Sequence, residues 1–470
     1  MMKKRLLILL IPMLVLSCGE DFTLLSPISE RNTESFYKTS TDFEAAIVGA
    51  YDALQSNGTF GVNYILLMEM RADNGQNAGG ATGLAASLQQ IDDFKEIPTA
   101  GEFKTTWAET YKGISRTNSI LSRIDDITFP NENLKKQIKG EALFIRSLLY
   151  YHLSVIFGNV TEQFEEVASL NFEINQVPAS TIFARIASDL TEAEGLLPAT
   201  TNNGRITSGA AAALLGRVYL QDGKKAEAVA PLQRVVDSAK YELVDDYKNI
   251  WGVDNKLNKE SIFEIQYKSG SSEGSSYTDM YTPNGKGGGV GGGVSPVSPT
   301  TDVRGLFDAA ALLGDERAAG TIAISVDTTA TPNDTTFYVG KFDSKPTSAF
   351  DADNNWIEIR YAEVLLNLAE ALGEGIPAYN LINEVRDRAG LLPISAVTPG
   401  TFEEKLLNER RLEFAFENKR WADLLRFGKA KEVMATHLNI TQAEVKLLFP
   451  IPQGEIDVSP DKMTQNSEHN

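Results

Sequence analysis

Apolar residues recur at helical spacing over long stretches of this chain. In residues 41–55 they return every three or four positions, beginning with Phe43 and Ile47. The same spacing is found in residues 103–124 and in residues 134–157. Three or four residues bring side chains back to one face of an α-helix, so the pattern predicts an amphipathic helix in each stretch.

Residues 212–240 carry the most informative local pattern. Gly216 is followed by Tyr219, and then by Ala228 and Leu232. This is the order of a tetratricopeptide repeat, with leucine in place of the usual phenylalanine at the last position. A glycine at this point lets two antiparallel helices approach closely. The segment is therefore predicted to form a helix-turn-helix pair.

Related helix pairs are predicted elsewhere, although no strict repeat period connects them. The break in the first pair falls at residues 221–223, and further pairs join 138–157 to 182–196 and 361–372 to 378–388. Each pair buries its apolar face by stacking on the next. The predicted fold class is mainly α, with a tetratricopeptide-like scaffold of helix pairs.

Two regions depart from helical periodicity. Residues 58–90 contain turn signals around the polar run 73–77, which predicts an exposed loop. Residues 268–355 are rich in Gly, Ser and Thr near their start and show no helical period until about Trp356. Residues 261–267 alternate like a strand. Long loop-rich insertions and a few short strands are therefore expected on the helical scaffold, and loops on a rigid frame favour binding sites.

The amino terminus reads as a targeting segment, residues 1–17. A basic run at 3–5 precedes the apolar run 6–16, which is too short to cross a bilayer core of about 30 Å as a helix. Cys18 follows directly, in a context that resembles a lipobox, where the thiol is acylated. The expectation is a lipoprotein signal peptide followed by a lipidated tether, residues 18–35.

Composition and charge narrow the class of protein. With 42% hydrophobic and 23% charged residues the chain is typical of folded, water-soluble proteins. Acidic residues outnumber basic ones by 63 to 44, a net charge of −19, so nucleic acid is excluded as a partner. A polyanionic ligand is disfavoured as well, unless loop cations such as Lys268, Lys286 or Arg304 gather locally.

Motifs for metal or cofactor chemistry are weak. The histidines number three and are scattered, which argues against a zinc site, and no phosphate-binding loop is present. Residues 351–355 begin like a calcium loop, but position six, which needs glycine for its sharp turn, is Trp356, and position twelve is Ala362, which cannot chelate. No metal, no cofactor and no catalytic residue are predicted.

One hydrolase motif remains as a distant alternative. Residues 270–274 match G-x-S-x-G around Ser272 and follow a predicted strand. A nucleophile elbow needs a helix after it, whereas serines and a glycine run follow here. The rest of the chain also lacks the strand-helix alternation of a hydrolase fold, so a serine esterase is the least favoured interpretation.

Several motifs with specific spacing resemble the SusD/RagB family of outer-membrane lipoproteins. They comprise Arg360-Tyr361-Ala362-Glu363, Ile382-Asn383-x-Val385-Arg386-x-Arg388-Ala389-Gly390-Leu391, Glu409-Arg410-Arg411-x-Glu413-Phe414, Arg420-Trp421-x-Asp423-Leu424-x-Arg426-Phe427-Gly428 and Pro450-Ile451-Pro452. Weaker matches extend the resemblance over nearly the whole mature chain. It implies a non-catalytic receptor that captures glycan at the cell surface and delivers it to a SusC-like, TonB-dependent β-barrel transporter in the outer membrane.

The motif residues themselves are predicted to be structural. Glu409, Glu413 and Glu417 recur every four positions with Arg410 and Arg420 nearby, which indicates a lattice of ion pairs. The expected organisation beyond residue 35 is one composite domain. Its parts are an N-terminal helical part, 36–267, a ligand-binding insertion, 268–355, and a C-terminal helical part, 356–470.

Ligand-binding residues are expected in the two loops. Sugar recognition needs aromatic faces together with amide or carboxylate groups. The candidates with that chemistry are Asp73, Asn74, Gln76, Asn77, Tyr277, Asp279, Tyr281 and Trp356. The first four could instead cap turns, and Trp356 suits a core position equally well. The predicted ligand is an oligosaccharide, with a peptide or another nutrient as the alternative.

Overall fold

The protein is mainly helical, as a computed structural model shows for residues 36–79, 86–167, 174–201, 203–271, 273–283, 296–328, 334–342 and 344–469. The signal peptide, Cys18 and the tether lie outside these described residues. The helices are α1 (Ser40–Asp52), α2 (Val62–Met68), α3 (Ala86–Asp92), α4 (Gly101–Leu121), α5 (Glu132–Phe157), α6 (Ala179–Leu196), α7 (Ser208–Gln221), α8 (Lys225–Asp237), α9 (Tyr277–Tyr281), α10 (Thr301–Leu312), α11 (Arg317–Thr321), α12 (Tyr361–Leu372), α13 (Ile376–Arg388), α14 (Phe402–Glu413), α15 (Arg420–Arg426), α16 (Ala430–Leu438) and α17 (Gln453–Val458).

The strands of the described residues are short and form two-stranded antiparallel ribbons. They are β1 (Gly75–Asn77), β2 (Val160–Thr161), β3 (Gln176–Val177), β4 (Ser261–Ile265), β5 (Val297–Pro299), β6 (Ile322–Asp327), β7 (Asp334–Val339) and β8 (Trp356–Arg360). The pairs are β1 with β5, β2 with β3, β4 with β8, and β6 with β7. The predicted mainly α fold with a few short strands is confirmed.

The long helices pack on one another in chain order. Helices α4 to α8 each contact the next, α8 contacts α12, and α12 contacts α13. The predicted pairs correspond to α5 with α6, α7 with α8, and α12 with α13. This succession is consistent with tetratricopeptide-like pairs. Among the described residues no helix is long and apolar enough to cross a membrane.

Helices α7 and α8 show why a glycine stands at position 216. A Cβ placed on Gly216 would lie 2.4 Å from Cγ of Leu232, far inside van der Waals contact. Leu232 and Ala228 are fully buried in the same seam. The turn between the helices contains Gly223 at a φ of +74°, a conformation that glycine adopts without strain. The predicted helix-turn-helix is observed as α7 and α8, and its close packing is consistent with a tetratricopeptide-like pair.

The prediction of an exposed loop at residues 58–90 is wrong for much of that stretch. Helix α2 lies within it, and six consecutive residues of this helix, beginning with Asn63, are buried. A short helix that is buried on all sides has no polar face and therefore no 3.6-residue period to detect. Helix α3 occupies the end of the stretch.

The insertion at residues 268–355 is also more ordered than predicted. Helix α10 buries Val303, Phe307 and Ala310, at spacings of four and three. Its first turn is capped by the hydroxyl of Thr300, which accepts the backbone N–H of Val303 at 3.1 Å. The helical signal was present in the sequence, but the glycine and serine residues before it obscured the period.

A buried ionic lattice joins the C-terminal helices to β8. The guanidinium of Arg360 donates from Nη1 to Glu260 at 2.7 Å and to Glu413 at 2.5 Å, and from Nε to Glu417 at 2.8 Å. Arg317 reaches the other oxygen of Glu413 at 3.0 Å. The three carboxylates and both arginines are at least 98% buried. The predicted lattice exists, but its cations come from other elements than the expected Arg410 and Arg420.

Candidate functional site

The two predicted loop regions meet in one small ribbon. Gln76 of β1 stands opposite Ser298 of β5, although more than two hundred residues separate them in sequence. The hydroxyl of Thr300 donates to the carbonyl of Asp73 at 2.8 Å, and its N–H donates to the carbonyl of Asn74 at 2.9 Å. The start of the first loop and the end of the insertion therefore form a single surface.

An open cleft of about 700 Å³ lies at the foot of this ribbon. Its charged lining comes from segments distant in the chain: Asp73, Asp302, Glu404, Lys405, Arg411, Arg420, Lys429 and Glu432. Helix α14 supplies one face, because positions 404, 408 and 411 recur every three or four residues. A volume of this size is typical of small-molecule sites, which range over roughly 300–1,000 Å³.

Asp73 is held at the floor of the cleft by two arginines. Arg420 donates to both carboxylate oxygens, from Nε at 2.7 Å and from Nη2 at 2.9 Å. Arg411 approaches the same carboxylate at 3.0 Å and also reaches Asp302 at 2.5 Å. Burial alone raises the pKa of Asp73, but Arg420 and then Arg411 outweigh it and hold the pKa of this carboxyl below its usual value.

Gln76 and Asn77 are the predicted site residues that stay accessible, since both are half-buried on the ribbon. The amide of Asn77 donates to Gln89 at 3.0 Å, and its backbone N–H donates to the carboxylate of Asp92 at 3.0 Å. Burial raises the pKa of Asp92 to about 6. Oδ1 of Asn77 accepts the N–H of Gly79 at 3.0 Å, which is the turn-capping role foreseen as an alternative. Contact of either residue with ligand stays a prediction.

Asp73 and Asn74 lie beside them but are buried, with 2% and 0% of their surface exposed. Asn74 accepts a hydrogen bond from Nε of Arg411 at 3.0 Å. Both residues therefore position the ribbon against α14 and α15. The exposure expected of this polar run is wrong for its first two residues, because arginines from the C-terminal part cover them.

The second group of predicted site residues lies in the core. Tyr277, Asp279 and Tyr281 form helix α9, and all three have 0% of their surface exposed. The expectation that loop tyrosines escape core burial is wrong, because their stacking partners come from segments much later in the chain. Tyr281 stacks on Phe342 with ring centroids 5.2 Å apart, and the carboxylate of Asp279 accepts the N–H of Phe350 at 2.6 Å.

Trp356 completes the same aromatic cluster. Its ring stacks on Tyr277 with centroids 4.8 Å apart, and only 1% of its surface is exposed. The indole N–H donates to Glu358 at 2.9 Å. Of the two roles considered for this tryptophan, the core position is the observed one. None of these rings offers a face on which a sugar could stack in this structure.

The surroundings of Ser272 do not match a nucleophile elbow. Ser272 itself lies outside the described residues. Ser275, close behind it, forms an antiparallel bridge with Ala352 rather than the start of a helix, and α9 begins only at Tyr277. The described residues also contain no group of three or more His, Cys, Asp or Glu side chains arranged to hold a metal ion.

The sequence alone did not nominate the cations of the cleft. Arg420 was assigned a structural role, which its bond to Asp73 supports, and Arg411 was only part of a motif. A helical wheel of α14 places Arg411 with Glu404 and Asn408, on a different face from buried Glu409 and Glu413. This separation of faces could have identified Arg411 as a residue outside the buried lattice. It could not have shown which other segments of the chain face it across the cleft.

Two family models match the sequence of this chain. The SusD family matches residues 325–469, and the family described as "Starch-binding associating with outer membrane" matches residues 29–220. Among curated relatives, SusD-like protein P2 of Formosa agariphila is 28% identical, with 94% of this chain and 95% of the relative aligned. A SusD-like protein of Bacteroides ovatus is 22% identical over 90% of this chain and 82% of its own length.

Solved structures agree with the sequence matches. A laminarin-binding SusD-like protein superposes with a TM-score of 0.80 at 29% identity, covering 92% of this chain and 100% of the other. A SusD superfamily protein from Bacteroides vulgatus gives a TM-score of 0.77 at 25% identity, with 92% and 100% coverage. Surface glycan-binding protein A from Bacteroides thetaiotaomicron, which was solved in complex with laminarihexaose, is also similar in fold. Its TM-score is 0.77 at 24% identity, and the match covers 91% of this chain and 100% of that one. With both halves of its sequence and its fold in agreement, this chain belongs to the SusD/RagB family.

Proposed function

We propose that this protein is a surface-exposed lipoprotein that captures oligosaccharide and delivers it to a SusC-like, TonB-dependent outer-membrane transporter, without a catalytic step of its own. The observation that carries the proposal is the whole-chain likeness to a laminarin-binding SusD-like protein. The cleft below the β1–β5 ribbon is the proposed place of capture, since it is open and is lined by Asp73, one of the predicted loop residues.

The chemistry of the cleft suits a sugar. Pro399, Leu407 and Val433 supply apolar surface in the same lining as the charged groups. Carbohydrates present C–H faces and hydroxyls together, so a binding site needs both kinds of contact. Gln76 and Asn77 lie on the ribbon outside the lining of the cleft. Their amide groups can donate to and accept from the hydroxyls of a sugar that extends from the cleft onto the ribbon.

The proposal is tested by calorimetry of the mature chain against a panel of soluble oligosaccharides, with laminarihexaose included. We expect saturable binding that weakens in Gln76→Ala and Asn77→Ala. Gln233→Ala is the matched control, because Gln233 lies on α8 and donates only to Asp237 among the contacts of its amide. If both ribbon variants bind oligosaccharide with the affinity of the wild type, the proposed binding site is wrong. If no oligosaccharide of the panel binds to the wild type, the proposed function is wrong.

Capture of a peptide by the same scaffold is the alternative. The ion pairs at the cleft could contact peptide termini as well as sugar hydroxyls, because the helical frame does not encode the ligand. A panel of short peptides in the same calorimeter separates the two. Saturable peptide binding together with no response to any oligosaccharide favours the alternative.

Anchoring and delivery are tested in cells. Cys18→Ala is expected to release the protein from the outer membrane, whereas Ser17→Ala keeps the cysteine and serves as control. Retention of the Cys18 variant contradicts the lipid anchor. Purification of the tagged protein from detergent-solubilised outer membranes is expected to bring down a TonB-dependent β-barrel, and its absence in the native strain counts against delivery to such a transporter.

A further inference from the structure

The deep part of the cleft carries more positive than negative charge. The arginine side chains at the floor are 11% exposed for Arg411 and 6% for Arg420, and Lys405 is 8% exposed. Asp73 is the carboxylate that lies among them at comparable depth. Lys405 donates to neutral groups, the hydroxyl of Tyr379 at 3.2 Å and a backbone carbonyl. Arg411, Arg420 and Lys405 thus line the cleft together with Asp73, and Arg411 also pairs with Asp302.

The acidic residues of the same cleft stand at its rim. The side chain of Asp302 is 56% exposed and that of Glu432 is 62% exposed. Water screens Glu432, so its contribution to the potential at the floor is small, whereas Asp302 pairs directly with Arg411 at 2.5 Å and offsets part of its charge. Glu404 is occupied by the cap of α14, where it accepts the N–H of Thr401 at 2.8 Å. In a chain with a net charge of −19 this cationic floor is a local exception.

One polar atom at the floor lacks a partner. Nη1 of Arg420 is buried and meets no hydrogen-bond acceptor in the structure, although Nε and Nη2 of the same guanidinium are both bound to Asp73. A buried N–H without an acceptor destabilises the protein, because it has lost its bond to water and gained none in return. Arg420 lines the cleft, so an acceptor brought by a ligand is what this group lacks.

We propose that the cleft is a subsite for an anionic sugar, in which Arg411, Arg420 and Lys405 receive a carboxylate or a sulfate ester of the captured glycan. The inference rests on the proposed function and narrows its substrate class. Guanidinium groups bind such oxyanions through short, charge-assisted hydrogen bonds that are stronger than those between neutral groups. A neutral glucan offers the floor no matching charge.

The experiment compares charged oligosaccharides with their own neutral forms. The probes are tetragalacturonate with its methyl ester, a sulfated carrageenan tetrasaccharide with its desulfated form, and laminarihexaose. We expect at least one charged probe to bind roughly ten-fold to a hundred-fold more tightly than its neutral partner, the range of one or two charged hydrogen bonds. The pair that shows the difference identifies carboxylate or sulfate.

Variants locate the effect in the cleft. Arg411→Gln is expected to remove the advantage of the charged probe. Lys429→Gln, at the exposed rim, is expected to reduce affinity about three-fold, because it alters the charge of the cleft without touching the floor. Arg234→Gln is the control, since Arg234 forms an exposed ion pair with Glu194 on another part of the molecule. Far-ultraviolet circular dichroism confirms that each variant is folded.

The outcomes are distinct. If laminarihexaose and the neutral forms bind as well as the charged probes, the anionic subsite is refuted and glycan capture stands. If a charged probe binds both Arg411→Gln and Lys429→Gln with the affinity that it has for the wild type, it binds elsewhere on the protein, and the subsite is again refuted. If no oligosaccharide binds at all, glycan capture and the subsite fall together, and binding of an acidic pentapeptide would then indicate peptide capture.

Discussion

Two clusters of arginine and carboxylate in this protein have similar chemistry and opposite settings. Around Arg360 the charges are enclosed on every side, and 2% or less of each participating side chain is exposed. Around Asp73 the charges are equally close, but a cleft of about 700 Å³ opens beside them. Similar residue pairs thus serve as an internal support in one place and as a candidate contact surface in the other. The two clusters differ in whether a ligand can reach them from solvent, and not in the types of residue that form them.

The largest effect is expected from breaking the enclosed cluster. Arg360→Met removes the cation that Glu260, Glu413 and Glu417 share. Other cations still pair with these carboxylates, namely Arg388, Arg317 and Lys341, but the buried cluster loses one of its positive charges. Removing one partner of a buried ion pair costs roughly 3–5 kcal/mol. Urea denaturation measures the loss. Arg234→Met is the exposed control and is expected to cost less than about 1 kcal/mol. Equal losses in the two variants would contradict the structural role of the lattice.

The free energy of unfolding is expected to depend on pH through Glu69, which lies between α2 and the β1–β5 ribbon. Burial raises the pKa of Glu69 to about 7, although the carboxylate accepts the N–H groups of Phe416 at 3.1 Å and Asn418 at 2.9 Å. Because the folded state holds this proton more tightly than the unfolded state, the stabilisation is complete below about pH 4.5 and is lost as the pH rises through about 7. At about 1.4 kcal/mol per unit, the change is roughly 3 kcal/mol.

Urea denaturation of the wild type and of Glu69→Gln between pH 4.5 and 7.5 isolates this contribution. The stability advantage of the wild type over the variant is expected to shrink across that range. An advantage that stays constant with pH would show that Glu69 has no raised pKa.

Packing between α7 and α8 gives the next effect. In Gly216→Ala the new methyl group meets Leu232 at 2.4 Å, and overpacking of this kind costs about 1–3 kcal/mol. Gly49→Ala is the matched helical control, because nothing lies within 4 Å of its added Cβ, and it is expected to stabilise by about 0.5–1 kcal/mol. Thermal unfolding of both variants gives the comparison. If both variants changed the stability in the same direction, the close approach of α7 and α8 would be refuted.

The two core tyrosines differ in their hydroxyl groups. The hydroxyl of Tyr277 donates to the carbonyl of Phe60, whereas that of Tyr281 is buried without a partner in the structure. Tyr277→Phe is expected to lose about 1 kcal/mol, and Tyr281→Phe is expected to be neutral or stabilising. Chemical denaturation measures both. A loss in Tyr281→Phe as large as in Tyr277→Phe would show an acceptor that the structure does not contain.

The smallest change in stability is expected at the rim of the cleft. The ion pair of Lys429 with Glu432 is exposed, so Lys429→Gln should alter the free energy of unfolding by no more than about 0.5 kcal/mol. The same variant is expected to weaken binding of an anionic sugar. A side chain that changes affinity without changing stability sharpens the contrast with Arg360. A large loss of stability would show that Lys429 has a structural role in the helical scaffold.

Strong local periodicity explains which elements could be predicted. The period in residues 134–157 gave α5 to within two residues of its observed start, and the alternation at residues 261–267 gave β4. Helix α2 is buried on all sides and left no period. The predictable elements are those whose two faces meet different surroundings.

The candidate site was predictable only in part. Polar residues beside turn signals drew attention to Gln76 and Asn77, which are half-buried on the ribbon and whose contact with ligand stays a prediction. The burial of Tyr277 depends on Phe342 and Trp356, which lie more than sixty positions later and stack on it in the core. The cations of the cleft meet Asp73 across more than three hundred residues. Contacts at such separations arise from the assembled fold, and no local pattern in the sequence encodes them.

The pairing of β1 with β5 has a practical consequence for redesign. Its register, from Gly75 opposite Pro299 to Asn77 opposite Val297, ties two segments from distant parts of the gene. Replacing one of them by the corresponding segment of a relative would leave its partner strand without matched hydrogen bonds. A chimera intended to exchange ligand preference should therefore move both segments together and keep Thr300 as the clasp between them.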